Sequence, residues 1–472
     1  MRDLIVIGGL ACGIGLHAQQ TWTLDQCLQR AEAQSLDMRN AALNADLAEK
    51  GRSQSFWSYF PDLNAGGTHG YNYGRVVDRF TNTFATDRVR TNNFWLSSDL
   101  VLFNGLRKQN ERRQAVLTAD AAGSGLEAQR NVVRTLVVER FLDILGLEER
   151  IRSQESLTRS TREQMDRTKA LVDAGRLAEG ELFSARAQVA SQEYSLTDLR
   201  NQHQRAELLL AQTLQLEPAE VEGFHVQAPA IGEMAVTEPT ASVEGVLINV
   251  LAQDPAYKQA ELQALSSERG IAIARSGGIP SLSFNASLGT GYSGRNSETV
   301  GEPVLSDPIA IGYTAGGEVV YSPNYTQDTR TRPFGKQLDD NLNESLGFTL
   351  SVPIFNNMRN KLAVDQARVQ YEQAKIDRDN VRDTRRRDVQ DAILAQRAAY
   401  DQFTSADIAV ESSQRALEYA QERFAQGAIS AFELNTARSD LERALAGRID
   451  ARYTYLLARS TLDILQGLPI SL

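Results

Sequence analysis

The chain has 472 residues, with 50 Lys and Arg against 60 Asp and Glu, for a net charge of −10. This balance argues against nucleic acid as a partner, because phosphate binding needs a concentrated basic surface. Few prolines and aromatics, beside long runs of Ala, Leu, Glu, Gln and Arg, argue against a string of ordinary globular domains and favour long helices.

In chain order, residues 1–18 read as a signal peptide. Arg2 supplies a positive charge, Leu4 to Leu16 is apolar, and Ala18 offers a cleavage point. Cys12, after Leu10 and Ala11, offers lipidation as the alternative. No later run reaches about 18 uninterrupted apolar residues, so no inner-membrane helix is expected. Cleavage beside Ala18 leaves Cys27 as the one cysteine, placed as a small apolar residue on an amphipathic stretch.

The remainder divides into two structural repeats, 19–230 and 231–472. Ile279-Pro280-Ser281-Leu282 echoes Phe60-Pro61-Asp62-Leu63 at an offset of 219 residues. Phe355-Asn356-Asn357-Met358-Arg359 echoes Phe103-Asn104-Gly105-Leu106-Arg107 at an offset of 252, which still holds for Gly427, Glu433 and Arg438 against Gly175, Glu181 and Arg186. The step in offset puts about 33 extra residues in one loop of the second copy, since insertions are tolerated in loops.

Each copy reads as helix, strand, loop, strand, very long helix, turn, long helix. Helical periodicity runs from Thr23 to about Ser58, with Thr23 and Gln26 as a capping box. Strands are expected at about 62–74, 93–104, 280–292 and 345–355. Long helices are expected at about 106–171, 179–215, 358–424 and 431–466. The longest pair would each reach about 100 Å at 1.5 Å per residue. Pro218, Pro229 and Pro239 mark the connector between the copies.

The strands alternate apolar and polar residues, most plainly Leu346, Phe348, Leu350, Val352 and Ile354 against Gly347, Thr349 and Ser351. The second strand is blurred, with Asp99 on the face of Trp95 and Phe103, and the first is Gly-rich. A soluble sheet packed on helices is the plain reading of alternation. Strand lengths of about 9–11 residues and aromatics near the strand ends favour barrel strands instead. Those aromatics are Phe56, Trp57, Tyr59, Phe60, Tyr71, Tyr73, Tyr292, Phe348 and Phe355. Four strands cannot close a barrel, and an open edge in lipid leaves backbone groups unsatisfied, so several copies must share one.

The paired Phe-Asn-x-x-Arg strand exits, the Pro-led strand entries, the two Gly-turn-Glu-Leu segments and Gln20-Thr21-Trp22-Thr23-Leu24 resemble the TolC family of outer-membrane efflux proteins. The resemblance implies a mainly α protein with membrane β-strands, whose homotrimer forms a shared 12-stranded transmembrane β-barrel continued by a periplasmic α-barrel. It implies a passive exit duct in a tripartite efflux or type I secretion system, with no catalytic residues, cofactor or metal. Its partners would be outer-membrane lipid, a periplasmic adaptor (membrane fusion protein) and an inner-membrane pump of the resistance-nodulation-division (RND) or ABC type.

The resemblance places Gly175 and Gly427 at adaptor-docking tip turns, and Glu433 and Glu181 near the periplasmic pore constriction. Pro61, Asn104, Pro280 and Asn356 would mark the barrel-to-helix junctions. Thr436 and Ser184 stand where a second acidic ring would be expected, and Ser430 with Glu433 is itself a capping box. An enzyme finds little support, since His17, His69, His203 and His225 are not paired at metal-ligand spacing. A periplasmic adaptor or a structural coiled-coil envelope protein is the remaining alternative.

Overall fold

A computed structural model describes residues 20–77, 82, 84–85, 88–229, 235–240 and 242–470. The signal peptide at 1–18, with Cys12 and Ala18, lies outside the described residues. In chain order the elements are β1 (Gln20–Trp22), α1 (Leu24–Gln34), α2 (Leu36–Trp57), β2 (Asn64–Asn72), β3 (Val76–Val77), β4 (Phe84–Ala85) and β5 (Val89–Asn104). They continue with α3 (Arg107–Asp173), α4 (Glu179–Thr213), α5 (Pro218–Val221), β6 (Phe224–Val226), α6 (Val243–Gln253) and α7 (Pro255–Ser276). The last are β7 (Ser281–Ser293), β8 (Ser297–Tyr313), β9 (Val319–Thr331), α8 (Phe334–Asp340), β10 (Asn343–Ser351), α9 (Arg359–Ala425) and α10 (Ala431–Leu465). The molecule is mainly helical.

The chain forms two compact units, each taking segments from both halves of the sequence. One holds residues 1–51, 116–266 and 371–472, the other 52–115 and 267–370. The helical unit has an aliphatic core from α1, α3, α4 and α10, including Phe141, Ile144, Leu210 and Leu456. The parallel pair β1 and β6 closes one side of that core, with the Trp22 and Phe224 rings 5.9 Å apart. Cys27 is fully buried there, and desolvation pushes its thiol up to about 12, so it behaves as an inert small apolar residue.

Three features depart from the sequence reading. The helix expected from Thr23 to Ser58 is broken at Ser35, whose extended backbone (φ −55, ψ 133) separates α1 from α2. The capping box of Thr23 and Gln26 does form. The long loop of the second copy carries a two-stranded ribbon, β8 with β9, and the short helix α8. β8 bulges against a regular β9, where the register shifts at Val300/Val304, Ser306/Ile309 and Ala310/Gly312. Finally, β10 ends at Ser351, before Val352-Pro353, because proline has no N–H to give a ladder.

The second unit is built on an antiparallel sheet in the order β10-β7-β5-β2. Both outer strands, β2 and β10, keep a free edge among the described residues. The two copies of the repeat match down to the backbone where strands give way to helices. Gly105 and Leu106 after β5 are left-handed (φ 67 and 63), as are Asn357 and Met358 after β10 (φ 53 and 61). Two consecutive left-handed residues turn the chain sharply, and Leu and Met tolerate that region poorly. The Asn104 side-chain oxygen then caps α3 by accepting from the Lys108 N–H at 3.3 Å, whereas at Asn356 it is the backbone carbonyl that accepts from the Arg359 N–H, at 3.1 Å.

Candidate functional site

Two places carry chemistry that packing alone does not explain: the two faces of the sheet, and the ends of the two long helical hairpins. On the sheet, cross-strand registers sort the side chains cleanly. One face stacks Leu350, Leu282 and Phe103, then Phe348, Phe284 and Leu100, then Leu346, Ala286 and Ser98, then Glu344, Leu288 and Leu96. The other stacks Thr349 with Ser283 and Val101, Gly347 with Asn285 and Asp99, and Ser345 with Ser287 and Ser97. One face is therefore apolar and the other polar, and most of the large apolar side chains, such as Phe348, Leu350 and Phe103, are exposed in a single chain.

The blurred alternation of the second strand has a physical cause. A register shift between Val101 and Phe103 moves Phe103 onto the apolar face opposite Leu282, away from Asp99. Trp95 does share the polar face with Asp99, and it lies against Gly66, where an added Cβ would come within 2.4 Å of the indole. The glycine that weakened the first strand as a pattern is thus room for its neighbour's ring. Asp99 is held on the polar face by Asn285, whose side-chain amide donates to it, and Thr349 donates to Asn285 at 3.1 Å.

Aromatic groups bound the apolar face at both ends. Phe56, Trp57 and Phe60 form one cluster, with ring centroids 5.2–5.7 Å apart, just before β2. Pro61 follows it, and the Asp62 carboxylate accepts from the Asp99 N–H at 2.7 Å, anchoring the chain beside β5. Pro280 plays the matching part before β7, which begins at Ser281 paired to Asn104 and Ser351. At the far end, Phe334 of α8 packs against Tyr292 at 5.2 Å and Phe94 at 6.4 Å.

The helical hairpins turn at Gly175 and Gly427, both with φ 68. Each closes the same way. Gly175 donates to Val172 and Arg176 to Leu171, while Gly427 donates to Phe424 and Ala428 to Arg423, all within 2.8–3.0 Å. A Cβ would meet nothing at either glycine, so the left-handed backbone alone demands the residue. Glu433 is occupied by its own helix start, its carboxylate accepting from the Ser430 N–H at 2.9 Å. At Glu181 no such cap exists, because Ala178 holds the N-cap position without a side-chain bond.

Glu181 and Ser184 of α4 line a crevice between the hairpin ends together with Thr168, Asn435 and Arg438. The Arg438 side chain has no hydrogen bond or ion pair among the described residues, and burial pulls its pKa below the usual arginine range. Sequence matching marked it only as the mate of Arg186; its isolation is a tertiary fact. The sequence also missed a cluster on α3, α4 and β6. His203 lies 3.5 Å from Glu207 and 3.6 Å from Glu148, and His225 bonds Glu207 at 2.9 Å. The carboxylates, Glu148 first, raise the His203 pKa against the opposing effect of burial. The spacing of His203 and Glu207 by four residues was the available signal.

Among the described residues, no helix is long and apolar enough to cross a membrane. Comparison with known proteins bears on the same point. A family model described as outer membrane efflux protein matches residues 27–214 and 246–468. A probable outer membrane lipoprotein of Salmonella typhimurium, SilC, is 22% identical over 433 residues, covering 89% of this chain and 80% of that protein. The Campylobacter jejuni CmeC outer membrane channel superposes with a TM-score of 0.75 at 15% identity, over 94% of this chain and 85% of that one. The outer membrane protein VceC of Vibrio cholerae gives 0.74 at 15%, over 95% and 97%.

Proposed function

We propose that this chain, which belongs to the outer membrane efflux protein family, is the exit duct of an export complex energised elsewhere. Three copies of its four-stranded sheet would close a 12-stranded barrel, and the long helices would continue the duct through the periplasm. The observation that carries this reading is the sheet itself, with one apolar face, one polar face and free edges at β2 and β10. Free edges cannot face lipid, and closed bacterial barrels need about eight strands or more, so neighbouring copies must supply the missing pairing. The polar face, with Asp99, Asn285 and the serines, then lines the lumen.

The hairpin ends at Gly175 and Gly427 would receive a periplasmic adaptor, with an RND or ABC pump behind it. Glu181 and Glu433 would sit near the constriction that docking relieves. The duct would catalyse nothing, its cargo being chosen by the pump. The SilC relative's description as a lipoprotein supports acylation at Cys12 over cleavage beside Ala18; intact mass of the purified protein separates the two.

Purified protein in a planar lipid bilayer is expected to conduct, and to migrate as a trimer that heating dissociates. Cysteines placed on β2 and β10 are expected to cross-link between copies. A non-conducting monomer confined to the soluble fraction would sink the duct reading.

A further inference from the structure

Beyond Phe94 the apolar face of β5 continues with Asn92 and Arg90, each two residues on and therefore on the same side, and Arg88 immediately precedes the strand. Asn92 bonds His69 across the strands. The Arg90 guanidinium lies 4.9 Å over the Tyr292 ring, and that of Arg88 lies 4.9 Å over the Tyr71 ring. Stacking uses the flat face of a guanidinium and leaves its N–H edge free for a bidentate anion. Other cations nearby are already matched: Arg330 and Lys336 share Glu298, and Arg332 pairs with Asp340. Arg88 and Arg90 have no carboxylate partner among the described residues, and both are exposed. The acid in the same face, Glu344, stands with Leu288 and Leu96, six residues along β5 from Arg90.

Resting on the reading of this face as lipid-exposed, we propose that Arg88 and Arg90 bind the phosphate headgroups of the lipid that surrounds it. Charge complementarity and position select this occupant. An apolar band that ends in Phe94, Tyr292 and Phe334 and then in two arginines without a carboxylate partner among the described residues matches the order of a lipid, acyl chain first and phosphate at the water boundary. A free anion would have no use for the band, and a soluble protein partner would not need the arginines at its border. The stacked rings hold the guanidiniums in place before lipid arrives, which lowers the ordering cost of binding.

The test uses the full chain in vesicles of phosphatidylcholine, with and without phosphatidic acid, read as the midpoint of heat unfolding. Phosphatidic acid is expected to raise the midpoint of the unmodified protein, and added salt to shrink that rise. Each single variant, Arg88→Ala or Arg90→Ala, should need about fivefold more phosphatidic acid for half-effect, and in Arg88→Ala/Arg90→Ala the rise should vanish over the range that saturates the unmodified protein. If the alanine variant fails to fold, Arg88→Gln/Arg90→Gln provides the same readout. The inference is overturned if the variant keeps the full rise, or if inorganic phosphate reproduces it in pure phosphatidylcholine. Equal destabilisation of the variant in both vesicles would point to a contact between copies and also overturn it. A protein that conducts in planar bilayers but shows no rise loses this surface and keeps its duct; one that neither inserts nor conducts loses both.

Discussion

Helix α3 buries two different kinds of side chain along its length. Its middle buries Val137, Val138, Phe141, Leu142, Ile144 and Leu145 against α1, α4 and α10. Toward the Gly175 turn it buries Gln154, Thr158, Thr161 and Thr168 instead. Three of these groups have partners: Thr158 and Thr161 donate to the carbonyls of Gln154 and Leu157, and Gln154 bonds Gln192, which donates to Glu442 at 2.9 Å. A hydrogen-bonded threonine contributes little net cohesion, because its hydroxyl was equally satisfied in water, whereas each buried aliphatic group adds transfer free energy. The middle of the hairpin is thus held by more apolar burial than its end, the division that the proposed duct would need if it is gated at that end.

The comparison breaks most directly under core truncation. Phe141→Ala should cost about 3–5 kcal/mol, read as a denaturant midpoint, while Thr161→Ala should cost less than about 1 kcal/mol. Similar losses at both positions would abolish the distinction. Next in size are the turns, where Gly427→Ala and Gly175→Ala should each cost about 1–2 kcal/mol from the left-handed backbone. Since the two turns are geometrically alike, unequal losses would mean that one is held by more than its backbone.

Arg438→Met sharpens the comparison from the other side. Removing a half-buried, unpaired charge should stabilise the hairpin end by a few tenths to about 1 kcal/mol, a figure kept low for solvent screening. Its single-channel current should change, since the crevice holding Glu181 would lose its cation. The smallest effect expected is at His203. Its folded pKa is raised from 6.5, so its contribution to stability is fully present below that value and is lost as pH rises through the raised one. Unfolding midpoints between pH 5 and 8 should show this slope, and His203→Gln should flatten it.

Much of the architecture was legible because it rests on local periodicity. Helix ranges near 107–173, 179–213, 359–425 and 431–465 follow from unbroken runs of good helix formers, and the two strands of the second copy, β7 and β10, from two-residue alternation. The glycine turns and the Ser430 capping box were readable because their bonds span at most five residues. At the candidate site, Gly175, Gly427, Glu181 and Glu433 could be placed on the hairpin ends, but not the isolation of Arg438, whose surroundings come from three other helical segments.

By itself the sequence determined the long helices, the glycine turns between them and the two-sided character of β7 and β10, since all three are written in spacing. Tertiary structure decided what spacing cannot encode. The bulge beside Phe103 restored a face that alternation had scrambled, and Trp95 explained Gly66 only once β2 lay beside β5. The ribbon of β8 and β9, the break at Ser35 and the meeting of His203 with His225 depend on which segments share space. So does the pairing of Arg88 and Arg90 with rings rather than carboxylates. Contacts between residues far apart in the chain are set by packing, and no local periodicity records them.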